Sequence, residues 1–115
     1  MSSAELTIHG FHAHIYFDAS TRASAEAFHH LIGQKLAGKL RHYGRLIDRP
    51  IGPHPVPMFE IDFHPSDFIE VVGFLMNHHG VHSVLIHPET GNDLKDHSAH
   101  ALWLGKQLDL DLSIF

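Results

Sequence analysis

The sequence predicts an α+β domain of the split βαβ kind, an antiparallel sheet with both long helices on one face. Three observations lead there. Residues 8–17 and 58–63 alternate apolar and polar side chains, the period of a half-buried strand. Residues 22–40 and 65–79 carry apolar side chains at helical spacing. A further strand-like run at 82–87 follows the second helix and is stopped by Pro88. With a short strand at 43–48, the order is strand, helix, strand, strand, helix, strand, which is the ferredoxin-like arrangement. Residues 1–115 are expected to form this one domain.

Taken in order, residues 1–7 read as a loose leader. In the first strand Phe11, Ala13, Ile15 and Phe17 point one way, and His12, His14 and Tyr16 the other. Asp18, Ser20 and Thr21 supply capping side chains for helix one. Its apolar stripe is Ala25, Phe28, Ile32 and Leu36, with His29 and His30 on the solvated side. Residues 49–57 include four prolines, so this loop is extended and stiff, and His54 is held between two of them.

Phe59, Ile61 and Phe63 take the core side of the next strand, while Met58, Glu60 and Asp62 take the other. Asp67 and Glu70 have the spacing of a capping box at the start of helix two. Phe68, Val71, Val72, Leu75 and Met76 form its stripe, His78 and His79 sit at its negative end, and Gly80 stops it. Val84 and Ile86 then face the core, with Ser83, Leu85 and His87 opposite. Asp93 is expected to cap a third helix over 94–104, ended by Gly105. Leu108, Leu110, Leu112 and Ile114 alternate with Asp109, Asp111 and Ser113, which predicts a closing edge strand.

In this arrangement the first strand lies between the third and the fourth. The face away from the helices then carries His12, His14, Tyr16, Glu60 and His87. An open face of that size calls for cover, so a homodimer that closes it is expected.

Composition narrows the function classes. A net charge of −5, with no basic stripe, argues against nucleic acid. No apolar run approaches a membrane span, and the first residues lack a basic-then-apolar signal pattern. Without cysteine there is no disulfide framework and no thiolate metal site, so a cytoplasmic location is expected. The anomaly is histidine, with 14 against 8 Lys and Arg together, dispersed along the chain.

Two imidazoles two residues apart on a strand stand about 7 Å apart along one face, close enough to converge on one metal ion. With Glu60 on the neighbouring strand, His12 and His14 make the two-His-one-carboxylate set of open-site non-haem Fe(II) oxygenases. His87 is an alternative ligand or an acid/base group beside it. His97, in the first turn of the third helix, is expected to close over the same pocket, while His100 suits a solvated helix face. His9, His42, His64 and His82 read as structural. No nucleophile elbow or phosphate-cradling glycine loop is present.

Several stretches resemble the DOPA 4,5-dioxygenase family. They are His12-Ala13-His14-Ile15-Tyr16-Phe17-Asp18, and Gly52-Pro53-His54-Pro55 leading into Met58-Phe59-Glu60. A third runs from Ser83-Val84-Leu85-Ile86-His87-Pro88 through Thr90-Gly91 and Asp96-His97 to Ala101-Leu102-Trp103-Leu104-Gly105. The resemblance implies a homo-oligomer and extradiol cleavage of a catechol ring by O₂ with non-haem iron. The family's histidine motifs fall on His12, His14, His54, His87 and His97.

On that expectation His12, His14 and Glu60 bind Fe(II), leaving open positions for a catechol and for O₂. Zinc would compete for such imidazoles in a purified sample. His54, His87 or His97 handles protons, since a neutral imidazole titrates near working pH. Tyr16 is expected to orient the substrate or donate to a bound oxygen. The competing readings are a cofactor-free monooxygenase-like dimer, a non-enzymatic metal- or small-molecule-binding module, and a structural dimer with a histidine-rich surface.

Overall fold

The computed structural model describes residues 5–115. It is an α+β fold with a five-stranded antiparallel sheet. The elements are β1 (Phe11–Tyr16), α1 (Arg22–Leu36), β2 (Leu40–Tyr43), β3 (Met58–Phe63), α2 (Phe68–His78), β4 (Val84–Pro88), α3 (Asp93–Asp96) and β5 (Leu102–Leu104). The strands lie in the order β2-β3-β1-β4-β5, so β1 sits between β3 and β4 as expected. Of the leader, residues 1–4 fall outside the described residues, and 5–7 are exposed without a regular element. No helix among the described residues is long and apolar enough to cross a membrane.

One core lies between the sheet and the two long helices. Ala13 and Ile15 of β1, Phe59, Ile61 and Phe63 of β3, and Val84 and Ile86 of β4 pack with Phe28, Ile32 and Leu36 of α1 and Val71, Val72 and Leu75 of α2. The odd positions of β1 therefore face the helices, and the strict alternation sends His12, His14 and Tyr16 to the opposite face. Asp18 accepts from the amides of Ser20 (2.9 Å) and Thr21 (3.0 Å), closing the predicted cap before α1. After α2 the chain turns at Gly80, whose φ of +55° suits glycine.

A second cluster lies on the face opposite the helices. Tyr16, Met58 and Leu85 are buried there beneath Ile47, Ile51 and Val56 of the connection between β2 and β3 and Ala101, Trp103, Leu108 and Leu110 of the C-terminal stretch. That end of the face was expected to stay open for a partner subunit. Its own chain covers it, so the ground given for a homodimer is absent there.

Three elements differ from expectation. The second strand is Leu40–Tyr43 and not 43–48, with Ile47 making only an isolated bridge to Met58. Gly44 comes so close to β3 that a Cβ there would lie 2.9 Å from the Glu60 carbonyl. The third helix is a single turn, Asp93–Asp96, capped by Asn92, which accepts from the Lys95 amide at 3.1 Å, and not by Asp93. Leu102–Leu104 pairs with β4 instead, setting Trp103 opposite Leu85. Tertiary pairing has overridden local propensity.

The expected closing strand is also absent. Leu108 and Leu110 lay their side chains on the second cluster without pairing to the sheet edge, and the Asp111 amide donates to the Pro53 carbonyl at 2.8 Å. Before α2, Asp67 makes no side-chain cap. A turn of 3-10 helix at Pro65–Asp67 already gives the first amides backbone partners, so the capping box has nothing to satisfy.

Candidate metal centre

Register decides which polar side chains meet. On β1, His12 stands opposite Asp62 of β3 and His87 of β4, and His14 stands opposite Glu60 and Leu85. His14 and His87 are therefore diagonal neighbours on one face, within reach of each other. Their Nε2 atoms lie 3.2 Å apart, and each residue is only 3% exposed. His12, His14 and His87 each bring a ring nitrogen within 4.8 Å of the other two.

Local hydrogen bonds fix the rings. Nδ1 of His87 donates to its neighbour's carbonyl, Pro88 O, at 2.9 Å, so its Nε2 carries the free lone pair. His14 leaves Nδ1 buried without a hydrogen-bond partner. Glu60 lies beside both β1 imidazoles, 3.5 Å from His12 Nδ1 and 3.8 Å from His14 Nδ1. His12 Nε2 also meets the Glu89 carboxylate and lies 3.5 Å from Asp62.

This donor set fits a transition-metal ion. With metal–nitrogen bonds of about 2.1 Å, adjacent imidazole nitrogens are roughly 3.0–3.4 Å apart in octahedral or tetrahedral shells. The His14–His87 separation of 3.2 Å lies in that range. Burial holds the His14 ring well below its ordinary pKa, and the nearby His54 and His87 rings add to this. His87 is lowered to about 4, again mainly by burial. Both are thus unprotonated at neutral pH, the form that binds metal.

The carboxylates behave differently. Asp62 is pushed up to about 8 by burial and by its hydrogen bond to Glu60. Burial works against an ionised Glu60, but the hydrogen bond from Asp62 and the His12 ring outweigh it and hold Glu60 below its usual range. Glu60 is thus the charged member of the pair.

His54 and His97 complete the wall. The Tyr16 hydroxyl lies 2.7 Å from His54 Nδ1 and has no other partner among the described residues. Hydrogen counting makes Tyr16 the donor, which leaves His54 with its proton on Nε2. The His54 ring is 4.2 Å from that of His14, centroid to centroid, and burial lowers it to about 4. Nδ1 of His97 donates to the Asp93 carbonyl at 2.7 Å, freeing its Nε2 as an acceptor. Its ring is 4.1 Å from that of His87.

A cavity of about 530 Å³ opens onto this group, lined also by Pro53, Glu89, Asp93 and Phe115. Of the residues singled out in the sequence, His12, His14, His54, Glu60, His87 and His97 line it together. Tyr16 does not. It sits behind His54, 3% exposed, and stacks on Trp103 at 5.9 Å. Glu60 flanks the imidazoles and stands outside the His12, His14 and His87 group.

Residues the sequence did not single out also contribute. Asp62 was placed on this face by alternation, but its pairing with Glu60 and His12 needed the register. Glu89 was read as turn. Buried Asp96 accepts from the Thr90 amide (2.8 Å), the Thr90 hydroxyl (2.6 Å) and His100 Nδ1 (3.0 Å), folding the loop that carries His97. His100 is therefore a hydrogen-bond partner of Asp96 and not part of a solvated helix face. His82, read as structural, donates from Nδ1 to Tyr16 O (2.9 Å) and bonds Ser24 Oγ through Nε2 (2.8 Å).

Comparison with known proteins gives this site a family. The chain is 32% identical over 111 residues to the DOPA 4,5-dioxygenase of Amanita muscaria, covering 90% of this chain and 48% of that one. It is 42% identical over 84 residues to an uncharacterized 21.2 kDa protein of Botryotinia fuckeliana, covering 66% of this chain and 45% of that one. It thus spans about half the length of these relatives, 45% and 48%. A crystal structure from Nostoc punctiforme, described as a candidate dioxygenase, matches with a TM-score of 0.81 at 41% identity, covering 92% of this chain and 90% of the other. The family model described as the Dopa 4,5-dioxygenase family matches residues 11–114. The chain belongs to that dioxygenase family.

Proposed function

We propose that the chain is an extradiol dioxygenase that cleaves the ring of a catechol with O₂, using non-haem iron(II). The observation that carries this reading is the convergence of three imidazoles, His12, His14 and His87, in a cavity of a dioxygenase-family fold. His12, His14 and His87 would hold the iron, with Glu60 beside the β1 rings to orient them as a carboxylate commonly orients a ligating histidine. The ligand set therefore gains His87, and Glu60 moves to a supporting role. Bound there, iron(II) supplies Lewis acidity toward a catechol and open positions for two reactants.

The chain's own residues supply the proton handling. With Nδ1 of His97 donating to the Asp93 carbonyl, its Nε2 is the nitrogen left to accept a hydroxyl proton from the substrate. His54, neutral and protonated on Nε2, donates a hydrogen bond to the oxygen that gains charge. Tyr16 holds His54 in that tautomer from behind. Phe115 and Pro53 give the cavity flat apolar walls suited to an aromatic ring.

The test is anaerobic loading with ferrous iron, then addition of a catechol in aerated buffer. Expected is a yellow ring-cleavage product, with one O₂ consumed per catechol. Equal turnover without iron, or no product with iron bound, would count against the reading.

A further inference from the structure

His97 has open space on two sides. It lines the cavity of the metal centre, and it also lines a second cavity of about 290 Å³ with Trp103, Leu108 and Leu112. Its Nδ1 bond to the Asp93 carbonyl ties one atom of the ring. The second side-chain torsion of a histidine is broad, so that bond alone does not set the ring plane. Two aromatic rings pack closely on it. One is His87, and the other is Phe115, 4.6 Å away and tilted by 30°.

Phe115 is 42% exposed, so burial does not explain where it sits. Residues 105–115 hold it there by three ties. Leu108 and Leu110 pack on the second cluster. The Asp111 amide donates to the Pro53 carbonyl at 2.8 Å. The Asp111 carboxylate then caps a turn of 3-10 helix at Leu112–Ile114, accepting from the Ser113 amide at 3.1 Å. The Phe115 amide closes that turn onto the Leu112 carbonyl at 3.3 Å. Pro53 precedes His54, whose ring lies 6.4 Å from that of His97. One stretch of chain is thus fastened to the His54 loop and packed on His97.

We propose that Phe115 is a positioning residue for His97, and that residues 105–115 are the strap that holds the His97 ring in place opposite His54. The effect on turnover rests on the reading that His97 takes the substrate's proton. A base that drifts by about 1 Å from its substrate can lose up to roughly 100-fold in rate.

Two readouts on the full chain test this, and the first needs no turnover. In zinc-loaded protein, a diamagnetic stand-in for ferrous iron, the carbon-bound ring protons of His97 are followed by NMR and assigned by their loss in His97→Ala. Stacked on Phe115, they feel its ring current. Phe115→Ala should therefore move them, and Phe115→Tyr should leave them in place. Asp111→Pro suits the φ of −81° at that position but removes the amide donor, so it should move them too. Asp111→Asn keeps both the amide and the cap and should not.

The second readout is catechol turnover by the iron-loaded protein. Phe115→Ala should lower kcat about tenfold with KM within about threefold, and Phe115→Tyr should restore it. In a His97→Ala background Phe115→Ala should cost nothing further, because the two rings act as one unit.

His97 resonances that stay put in Phe115→Ala overturn the proposal, as does a loss of kcat that is the same with and without His97. A raised KM with kcat unchanged also overturns it, since Phe115 would then serve only as a wall for the substrate. If the resonances move but the unaltered protein cleaves no catechol, the strap stands and the dioxygenase reading falls. If catechol is cleaved while both readouts ignore Phe115, the reading stands and the strap falls.

Discussion

The Nε2 atoms of His14 and His87 lie 3.2 Å apart, although the two residues are 73 positions apart in the chain. The antiparallel β1–β4 register does this by pairing His14 with Leu85 and His12 with His87. A one-residue slip of β4 would send His87 into the helix-side core and dissolve the site. The packing of Val84 and Ile86 against the helices therefore also sets the metal geometry.

Replacing either member should remove the metal and keep the fold. His14→Ala and His87→Ala are expected to lose at least about tenfold in iron affinity, each deleting one ligand. Metal analysis after anaerobic loading, with far-ultraviolet circular dichroism as the fold control, reads both. Stoichiometric iron in a folded His87→Ala variant would contradict the ligand set.

Tyr16→Phe removes the hydroxyl that holds His54 Nδ1 at 2.7 Å. Turnover should fall about 10–100-fold with KM little changed, as for loss of an orienting partner. Stability should drop by about 1 kcal/mol, the ordinary worth of a hydrogen bond. A raised KM with unchanged kcat would instead mean that Tyr16 touches the substrate.

The metal-free protein should lose stability in acid over a defined window. His54 and His87 are both lowered from 6.5 to about 4, and His14 is lowered as well. Above pH 6.5 neither folded nor unfolded imidazoles hold the proton, so these groups give no pH dependence there. As pH falls from 6.5 toward 4, the unfolded chain takes up protons that the folded chain excludes, and stability declines. Urea midpoints measured across that range should fall steadily. A flat profile would show that these rings are not buried neutral.

Asp96→Asn tests the loop that presents His97. The buried carboxylate accepts two hydrogen bonds from Thr90 and one from His100, and the amide can keep only part of that set. A loss of about 1–3 kcal/mol is expected in thermal or urea unfolding, with a rise in KM for the catechol. An unchanged melting temperature would place Asp96 outside the loop's support.

Much of this site was legible in the chain because alternation is a strong signal. Period two on β1 and β3 assigned His12, His14, Glu60 and Asp62 to one face, and the element order supplied β4 as the neighbour that brings His87. The prolines around His54 marked a rigid loop before its contact with Tyr16 was known. What escaped depends on long-range pairing. Residues 102–104 have no local feature that separates a helix end from a three-residue strand, and only Leu85 opposite Trp103 decides it. Residues 108–114 alternate like a strand, yet packing Leu108 and Leu110 on the sheet face satisfies the same pattern. Glu60 looked like a ligand from its strand position alone. Its partnership with Asp62, whose carboxyl is pushed up beside it while Glu60 is held down, could be read only once the two side chains were placed together.

The ligand set is the centre of the account, and X-ray absorption at the iron edge tests it most directly. The measurement is made on ferrous protein loaded under nitrogen to one iron per chain. Three imidazoles, from His12, His14 and His87, are predicted in the scattering, and His87→Ala should lower that number or release the metal. A spectrum fitted by oxygen ligands with at most one imidazole would contradict it.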